Sequence, residues 1–455
     1  MKILITGATG LIGKELGKAL ALKDHQLVVI SRSAEKAKLV LPFPCEVIEG
    51  DLEKSPLLLP AVDAVIHLAG TSVAEGRWTA EQKKSILESR VLGTRHLLQS
   101  LSAAPSVFIS SSAIGIYGDR GDEELTESSS TGPGFLAEVC KQWEAEAEKI
   151  HARSGFSGVR TVYMRTGVVL ARSGGALEKM LWPFRAGIGA ALASGQQKMS
   201  WIHIDDLVQL FIFALENPSA QGAINAVAEK PVSNLDFSKT LAKILHRPLL
   251  PNIPTFVLKI LFGEMAVVLT ASQNIKPTAA LNLGFAFRFK DLQSALDDLL
   301  AEASKGEDVF YAEQFVPATP EKVFPFFSEA QNLEKITPDT LNFKIKNMST
   351  PEIGQGTLID YRLKIHGVPA GWRTLIDQWQ PPFKFVDTQL KGPYSLWHHT
   401  HEFKNLAGGT LMTDRVRYKA PLGYLGWLAA GWLVKKDVSQ IFSYRRKIVD
   451  QIFKK

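Results

Sequence analysis

Cysteine is scarce in this sequence: Cys45 and Cys140 are the only two in 455 residues, and they stand far apart. That spacing excludes a disulfide framework and a cysteine-ligated metal centre, and it predicts a reducing, cytoplasmic compartment. Long apolar runs are also missing. A membrane-spanning helix needs ~20 apolar residues, whereas Phe256 to Leu269 is interrupted by Lys259 and Glu264, and Pro421 to Val434 is too short. The opening MKILITGATG has one lysine before apolar residues, as a signal peptide does, but glycines interrupt it at once and a buried strand is expected. No internal repeat and no low-complexity tract is present. Charge of one sign is lacking too, since 52 basic against 46 acidic residues leave a net +6. Only Arg445, Arg446, Lys447, Lys454 and Lys455 cluster, so nucleic acid is not expected as a partner.

What remains is a globular composition, 45% hydrophobic and 22% charged. The chain is too long for one core, and two are expected. Up to about residue 230, short β-branched runs alternate with longer amphipathic ones: KILIT, then a helix from Gly10 to Leu22; QLVVIS; AVIHLAG, then a helix around Ser85 to Leu101; SVFISSS; GVRTVYMRTGVVL; and the strand-to-helix junction SWIHIDDLVQLFIFAL. This βαβ rhythm predicts an α/β fold, a doubly wound parallel sheet covered on both faces, with a small substrate lobe reaching Leu300. The polar stretch Ala301 to Asp308 reads as a linker. After it come a short helix around Pro320 to Glu329, six strand-like runs and a long helix from Lys435 to Phe453, the pattern of an α+β domain over 308–455.

The strongest chemical signal is Thr6-Gly7-Ala8-Thr9-Gly10-Leu11-Ile12-Gly13, between a predicted strand and a predicted helix. The first glycine permits a tight turn, the second lets the backbone approach a pyrophosphate, and the third allows close helix–strand packing. The second strand ends in Ser31 and Arg32, where an NAD site usually places an acid. Serine and arginine suit a 2′-phosphate, so NADP(H) is expected ahead of NAD(H). The plain alternative for Arg32 is a solvated side chain at a strand end.

These segments together resemble the extended or atypical short-chain dehydrogenase/reductase superfamily, in its nucleoside-diphosphate-sugar epimerase-like branch, over about residues 1 to 297. Further segments carry the resemblance: Gly50-Asp51-Leu52, His67-Leu68-Ala69-Gly70, Ser110-Ser111-Ser112-Ala113 leading to Tyr117-Gly118, and Trp201 to Asp206. The run 251–297, with Gly263-Glu264-Met265, is similar to that branch's small C-terminal extension. The resemblance implies a Rossmann fold, Asp51 and Leu52 near the adenine, and Leu68, Ala69 and Gly70 lining the cofactor. It also implies catalysis by a serine, a tyrosine and a lysine four residues after the tyrosine. Ser112 or Ser111 supplies the serine. Lys141 is the lysine candidate, but Ala137 stands four residues before it, so the Tyr-x-x-x-Lys pair is absent. Tyr117 is the candidate replacement, against the reading that it lines the pocket. Arg90 stands where extended members usually carry asparagine. His203, Asp205 and Asp206 read as a helix start capped by Asp205 or Asp206 rather than as a metal or acid–base cluster. Arg185 is either a contact for a negative substrate group or a surface ion-pair residue.

The C-terminal domain resembles the helix-grip superfamily, which includes lipid-transfer and polyketide cyclase-like (SRPBCC) domains, by order of elements rather than by any motif. That resemblance implies an apolar-ligand cavity, for which Trp372, Trp379, Trp397, Phe383, Phe385, Tyr361 and Tyr394 are candidates, unless they simply fill a core. His399 and His401 share a strand face with no acidic or cysteine partner spaced with them, so a metal site, though open to them, is not the expectation. The run PLGYLGWLAAGWLV is expected to pack as a hairpin. The leading reading is therefore an NADP(H)-binding oxidoreductase or epimerase-like protein acting on a small, sugar-like molecule. A redox-inactive dinucleotide sensor or scaffold, and a lipid- or isoprenoid-binding protein, are the alternatives.

Overall fold

Seven strands build the first sheet of the computed structural model, which describes residues 1–453; Lys454 and Lys455, part of the expected basic cluster, lie outside the described residues. They are β1 (Lys2–Thr6), β2 (Gln26–Ser31), β3 (Glu46–Glu49), β4 (Ala64–His67), β5 (Val107–Ala113), β6 (Arg160–Thr166) and β7 (Gly222–Ala226). All pair in parallel, in the order β7-β6-β5-β4-β1-β2-β3. Parallel strands covered on both faces require unbroken apolar runs, and Ile3, Leu4, Ile5, Val65 and Ile66 have no exposed surface. The strand order reverses between β1 and β4. The carboxyl ends of these two strands therefore lie side by side, where an open α/β sheet receives its ligand. This is the Rossmann-like sheet the βαβ rhythm predicts.

The chain divides into two units, Met1–Ala34 with Cys45–Ala301, and Glu35–Pro44 with Glu302–Lys455. In the first, α1 (Leu11–Ala21) follows β1, and α2 (Ala80–Ser100) starts earlier than expected because Thr79 caps it, accepting the Gln82 N–H at 3.2 Å. The stretch GVRTVYMRTGVVL is two strands rather than one. After β6 the chain breaks at Gly167, where a Cβ would lie 2.7 Å from the Ser200 carbonyl oxygen, and Val168–Leu170 pairs with Trp201–His203 in a separate small sheet.

The helix that follows, after α3 (Phe135–Glu148), is α4 (Ile204–Glu216), and its cap corrects the expectation. His203, not an aspartate, is the cap: its Nδ1 accepts the Asp205 N–H at 3.1 Å. Asp206 turns instead to the 251–297 extension and accepts the backbone N–H groups of Arg288 (2.9 Å) and Phe289 (3.0 Å). The Phe289 ring stacks on His203 with centroids 3.8 Å apart. Burial pushes the Asp206 carboxyl above its usual range, and the two N–H donors oppose that shift. The Trp201–Asp206 motif is thus a clasp for the extension.

The second unit holds seven antiparallel strands: β8 (Asp308–Val316), β9 (Lys344–Met348), β10 (Leu358–Ile365), β11 (Val368–Gln380), β12 (Lys384–Lys391), β13 (Leu396–Leu406) and β14 (Gly409–Lys419), in the order β8-β14-β13-β12-β11-β10-β9. One helix, α5 (Gly423–Phe453), closes it. The expected hairpin at 421–434 is instead the first turns of α5, since Leu, Ala and Trp propagate a helix and no proline follows Pro421 there. Leu425 and Trp432 on those turns are 71% and 67% exposed. Phe324, Phe385, Phe403, Met412 and Val449 form one core cluster, and Val416, Tyr418, Val438 and Phe442 another. The expected linker is tied down: Glu302 and Glu307 are buried and pair with Arg415 and Arg417. Among the described residues, no helix is long and apolar enough to cross a membrane.

Asp206→Ala removes the shared acceptor of two N–H groups, the buried one of Phe289 and the part-buried one of Arg288. We expect a loss of about 1–3 kcal/mol for leaving such donors unsatisfied, read as a lower thermal midpoint, with hydrogen exchange accelerated at Arg288 and Phe289 more than in β1.

Candidate functional site

Each cradle glycine has a separate steric reason to be there. Gly7 has φ +70°, and a Cβ on it would lie 2.8 Å from the Ala69 nitrogen and the Leu68 carbonyl carbon, at the end of β4. A Cβ on Gly13 would lie 2.5 Å from the Ala8 Cα and from the Gly7 carbonyl oxygen, so this glycine lets α1 press against the turn. Gly10 is different. A Cβ there would meet only the Gly7 oxygen, at 3.3 Å, and both Thr9 and Gly10 are exposed. The open side of the turn therefore faces outward, over the first turn of α1, which has no side-chain cap. Helix N-terminal N–H groups left without partners suit phosphate. Leu11 and Ile12 are half-buried behind this opening.

Beside the cradle, Ser31 ends β2 with its hydroxyl near the Ser33 carbonyl at 3.2 Å, and Arg32 is exposed with no partner among the described residues. Asp51 is half-buried and accepts the Glu53 N–H at 3.1 Å, and Leu52 is buried. Leu68 and Ala69 are half-buried and Gly70 is exposed. Under Gly70 lies the Arg90 guanidinium, which donates to the Thr71 and Ile86 carbonyls and stacks 4.9 Å over Trp143.

His67 fixes the end of β4 from behind. It is fully buried, with Nδ1 2.7 Å from the Thr6 hydroxyl and Nε2 3.0 Å from the Thr94 hydroxyl. Because Thr94 donates to the Arg90 carbonyl and Thr6 accepts the Ala69 N–H, one proton arrangement satisfies every group. Thr6 donates to Nδ1, and Nε2–H donates to Thr94. Burial pulls the His67 pKa down to about 3, so the ring stays neutral.

The expected catalytic set is not assembled. Ser112 is buried and donates to Glu144 at 2.6 Å; Ser111 is half-buried beside it on β5. Glu144 in turn receives two bonds from Arg165, at 2.9 and 2.8 Å. Tyr117 has no exposed surface. Its hydroxyl donates to Asn225 at 2.7 Å and accepts from Arg165 at 2.8 Å, and burial pushes its pKa up. A phenol so enclosed and committed cannot serve a substrate, which corrects the Tyr117 expectation. Lys141 is exposed on α3. The face of α3 turned to Ser112 carries Leu136, Cys140 and Glu144, spaced four apart. Cys140 contacts Ser112 and the Ala113 backbone, and burial pushes its thiol up to about 11. Leu136 lies against Gly115 and joins an apolar cluster with Trp78, Val139 and Met265. Lys141 is one residue, and so 100°, off that face. Arg185 is half-buried in the last turn of the helix Gly175–Arg185.

Within the second unit, a cavity of about 560 Å³ is lined by Tyr361, Trp372, Tyr394 and Trp397, among others. Phe385 lines it too while also touching Phe324, whereas Trp379 packs against Phe324 away from it and Phe383 is 56% exposed. The carboxylates of Asp387 and Asp414 stand beside His399 and His401, a grouping not anticipated from the local sequence.

A parallel sheet with an open glycine cradle at its switch point defines a dinucleotide-binding α/β protein. The chain belongs to the NAD dependent epimerase/dehydratase family, which residues 3–227 match; residues 253–299 match a domain of unknown function, DUF1731. It is similar to the chloroplastic SDR39U1 homolog of Arabidopsis thaliana, an epimerase family protein, at 39% identity over 65% of this chain and 86% of that protein. Epimerase family protein YfhF of Bacillus subtilis is 36% identical over 66% of this chain and 99% of its own length. A crystal structure of human SDR39U1 with NADPH matches at a TM-score of 0.59 and 32% identity, covering 66% of this chain and 99% of that one.

Gly10→Ala should fold with a loss under about 1 kcal/mol yet lose NADPH binding, whereas Gly13→Ala should cost about 1–3 kcal/mol of stability through overpacking; denaturant melts and a nucleotide titration separate the two. His67 takes up a proton near pH 6.5 when unfolded but only near 3 when folded. Stability should therefore fall as pH drops from 6.5 toward 3, by up to about 1.4 kcal/mol per pH unit. In His67→Asn that component of the acid slope should vanish.

Proposed function

We propose that the N-terminal unit binds NADP(H) and that the protein is an oxidoreductase or epimerase-like protein acting on a small polar, sugar-like molecule. The observation that carries the cofactor reading is the open cradle flanked by Arg32, a free cation at the end of β2 where no acid stands. A guanidinium there supports a 2′-phosphate through charge-assisted hydrogen bonds, and the human relative crystallised with NADPH supports the same choice over NAD(H). The backbone of Gly7 through Gly13 would hold the pyrophosphate, Ser31 and Arg32 the ribose phosphate, Asp51 and Leu52 the adenine side, and Leu68 to Gly70 the inner wall. When bound, the cofactor supplies a hydride. This chain's own part is to exclude water with the Leu136 cluster, beside Ser112, whose hydroxyl donates to Glu144 at 2.6 Å.

A second reading, a redox-inactive dinucleotide sensor or scaffold, is favoured by one specific observation: the α3 face toward Ser112 carries Leu136 and Cys140 in place of a tyrosine–lysine pair. For the C-terminal unit we propose a helix-grip, SRPBCC-type domain that takes an apolar ligand such as a lipid or isoprenoid. Its long closing helix and aromatic-walled cavity support that.

Nicotinamide fluorescence titrations with NADPH and NADH, on the wild type and on Arg32→Ala, test the cofactor. NADPH should bind more tightly than NADH, and the variant should lose about 1.5–3 kcal/mol for NADPH, roughly 10- to 150-fold in Kd, with NADH unaffected. Equal binding of both cofactors by the wild type would overturn the assignment. Turnover that no candidate sugar or carbonyl substrate elicits from a cofactor-loaded protein would favour the sensor.

A further inference from the structure

The C-terminal unit carries a polar cluster that the dinucleotide reading does not use. His399 and His401 leave β13 on one face, and the neighbouring strands bring a carboxylate opposite each: Asp387 of β12 pairs in register with His399, and Asp414 of β14 with His401. His399, His401 and Asp414 are at most 4% exposed. The contacts sort into two layers. In front, Asp387 Oδ2 lies 3.3 Å from His399 Nδ1 and 3.2 Å from His401 Nε2. Behind, Asp414 Oδ1 lies 2.9 Å from His399 Nε2 and 2.8 Å from His401 Nδ1. Asp387, His399 and His401 line the 560 Å³ cavity, whereas Asp414 lies off it, beside Gln314 and Met412.

We propose that Asp387, His399 and His401 form a site for one divalent transition-metal ion, with Asp414 behind it positioning both imidazoles and the open coordination positions facing the cavity. Two imidazoles and one carboxylate are a donor set for zinc, cobalt or iron(II), and too nitrogen-rich for magnesium or calcium. Donor atoms each ~2.1 Å from an ion stand ~3.0–3.4 Å apart, the spacing found from Asp387 to each ring. A carboxylate on the far nitrogen of a metal-binding histidine fixes its orientation and raises its basicity, and here one oxygen of Asp414 reaches both rings. Asp414 is hydrogen-bonded to His399 Nε2 and stands as an ion-pair partner 2.8 Å from His401 Nδ1. Two cations stand nearby: Arg445, which also lines the cavity and has its Nη1 3.6 Å from Asp414 Oδ1, and Arg446, which lies beside Asp414. Both offset the rear carboxylate, and Arg445 also acts on Asp387. Phe385, stacked on His401 at 4.0 Å, shields one flank from water. The open positions would take water or the oxygen head of an amphipathic ligand whose apolar body fills the cavity. None of this depends on the dinucleotide reading.

The full chain, dialysed against a chelator, is titrated with Zn²⁺ by calorimetry and with Co²⁺ by visible absorption. One ion per chain is expected, with a cobalt band in the visible. Asp387→Asn and His399→Gln should each weaken binding at least tenfold, and Asp414→Asn by about ten- to a hundredfold, while NADPH titration and near-ultraviolet circular dichroism report that both units remain folded. X-ray absorption on the zinc-loaded wild type reads the ligands without any substitution and should show two imidazoles with oxygen and no sulfur. No stoichiometric ion in the wild type, undiminished affinity in a folded Asp387→Asn/His399→Gln chain, or a shell lacking imidazole would each overturn the site.

Discussion

The approach of Gly7 to the end of β4 is the constraint on which the first unit depends. With 2.8 Å from a notional Cβ to the Leu68 and Ala69 backbone, no side chain fits, and the two strand ends at the switch point can lie against each other only because Gly7 carries none. His67 then locks the same place from inside. Its neutral ring ties Thr6 on β1 to Thr94 on α2, and through Thr6 it reaches the Ala69 N–H. The turn that would receive a pyrophosphate is thus held on one side by a steric limit and on the other by a proton-ordered chain. Its outward side, at Gly10, stays open. A site kept rigid by its own supports costs little reordering when a ligand arrives.

The same economy does not extend to the expected catalytic groups. Arg165 bonds both Glu144 and Tyr117, Glu144 holds Ser112, and Tyr117 ends on Asn225. Such a buried network is stable only when every member is satisfied, and satisfying Tyr117 internally is what removes it from substrate. The relatives' family and this chain's fold agree, yet the hydroxyl–amine pair that fold usually positions is replaced by Leu136 and Cys140. Fold therefore carries the cofactor argument here, and Ser112, buried and bonded to Glu144, is held in the same network.

What could be read from the sequence was what is contiguous. The glycine triplet, the alternating strands and helices, and the basic end of β2 are each encoded within a dozen residues, and each lies in the structure where its spacing implies. The register of α3 was harder. In GFLAEVCKQWEAEAE the buried positions Val139, Cys140, Trp143 and Ala147 mark the inner face, and Lys141 falls beside it, so the apolar pattern rather than the lysine sets the register. The cap of α4 was misassigned for a similar reason. Asp205 and Asp206 have the usual capping chemistry, but the partners of Asp206 lie 82 and 83 residues downstream.

The histidine cluster shows the limit in its clearest form. Along β13, the one carboxylate near His399 and His401 is Glu402, which the alternation of the strand sends to the opposite face. Asp387 and Asp414 stand 14 and 15 residues from the histidines they bond. An antiparallel sheet places residues opposite one another by register, a property of strand pairing rather than of local spacing. A ligand set spread over three adjacent strands is therefore invisible to motif spacing yet held more firmly than one on a loop, because moving any member means slipping a strand. With α5 closing one side and aromatic rings the cavity wall, that sheet presents two nitrogens and an oxygen toward an apolar space. Buried charge of this kind is tolerated because each carboxylate pairs with both imidazoles across the strands.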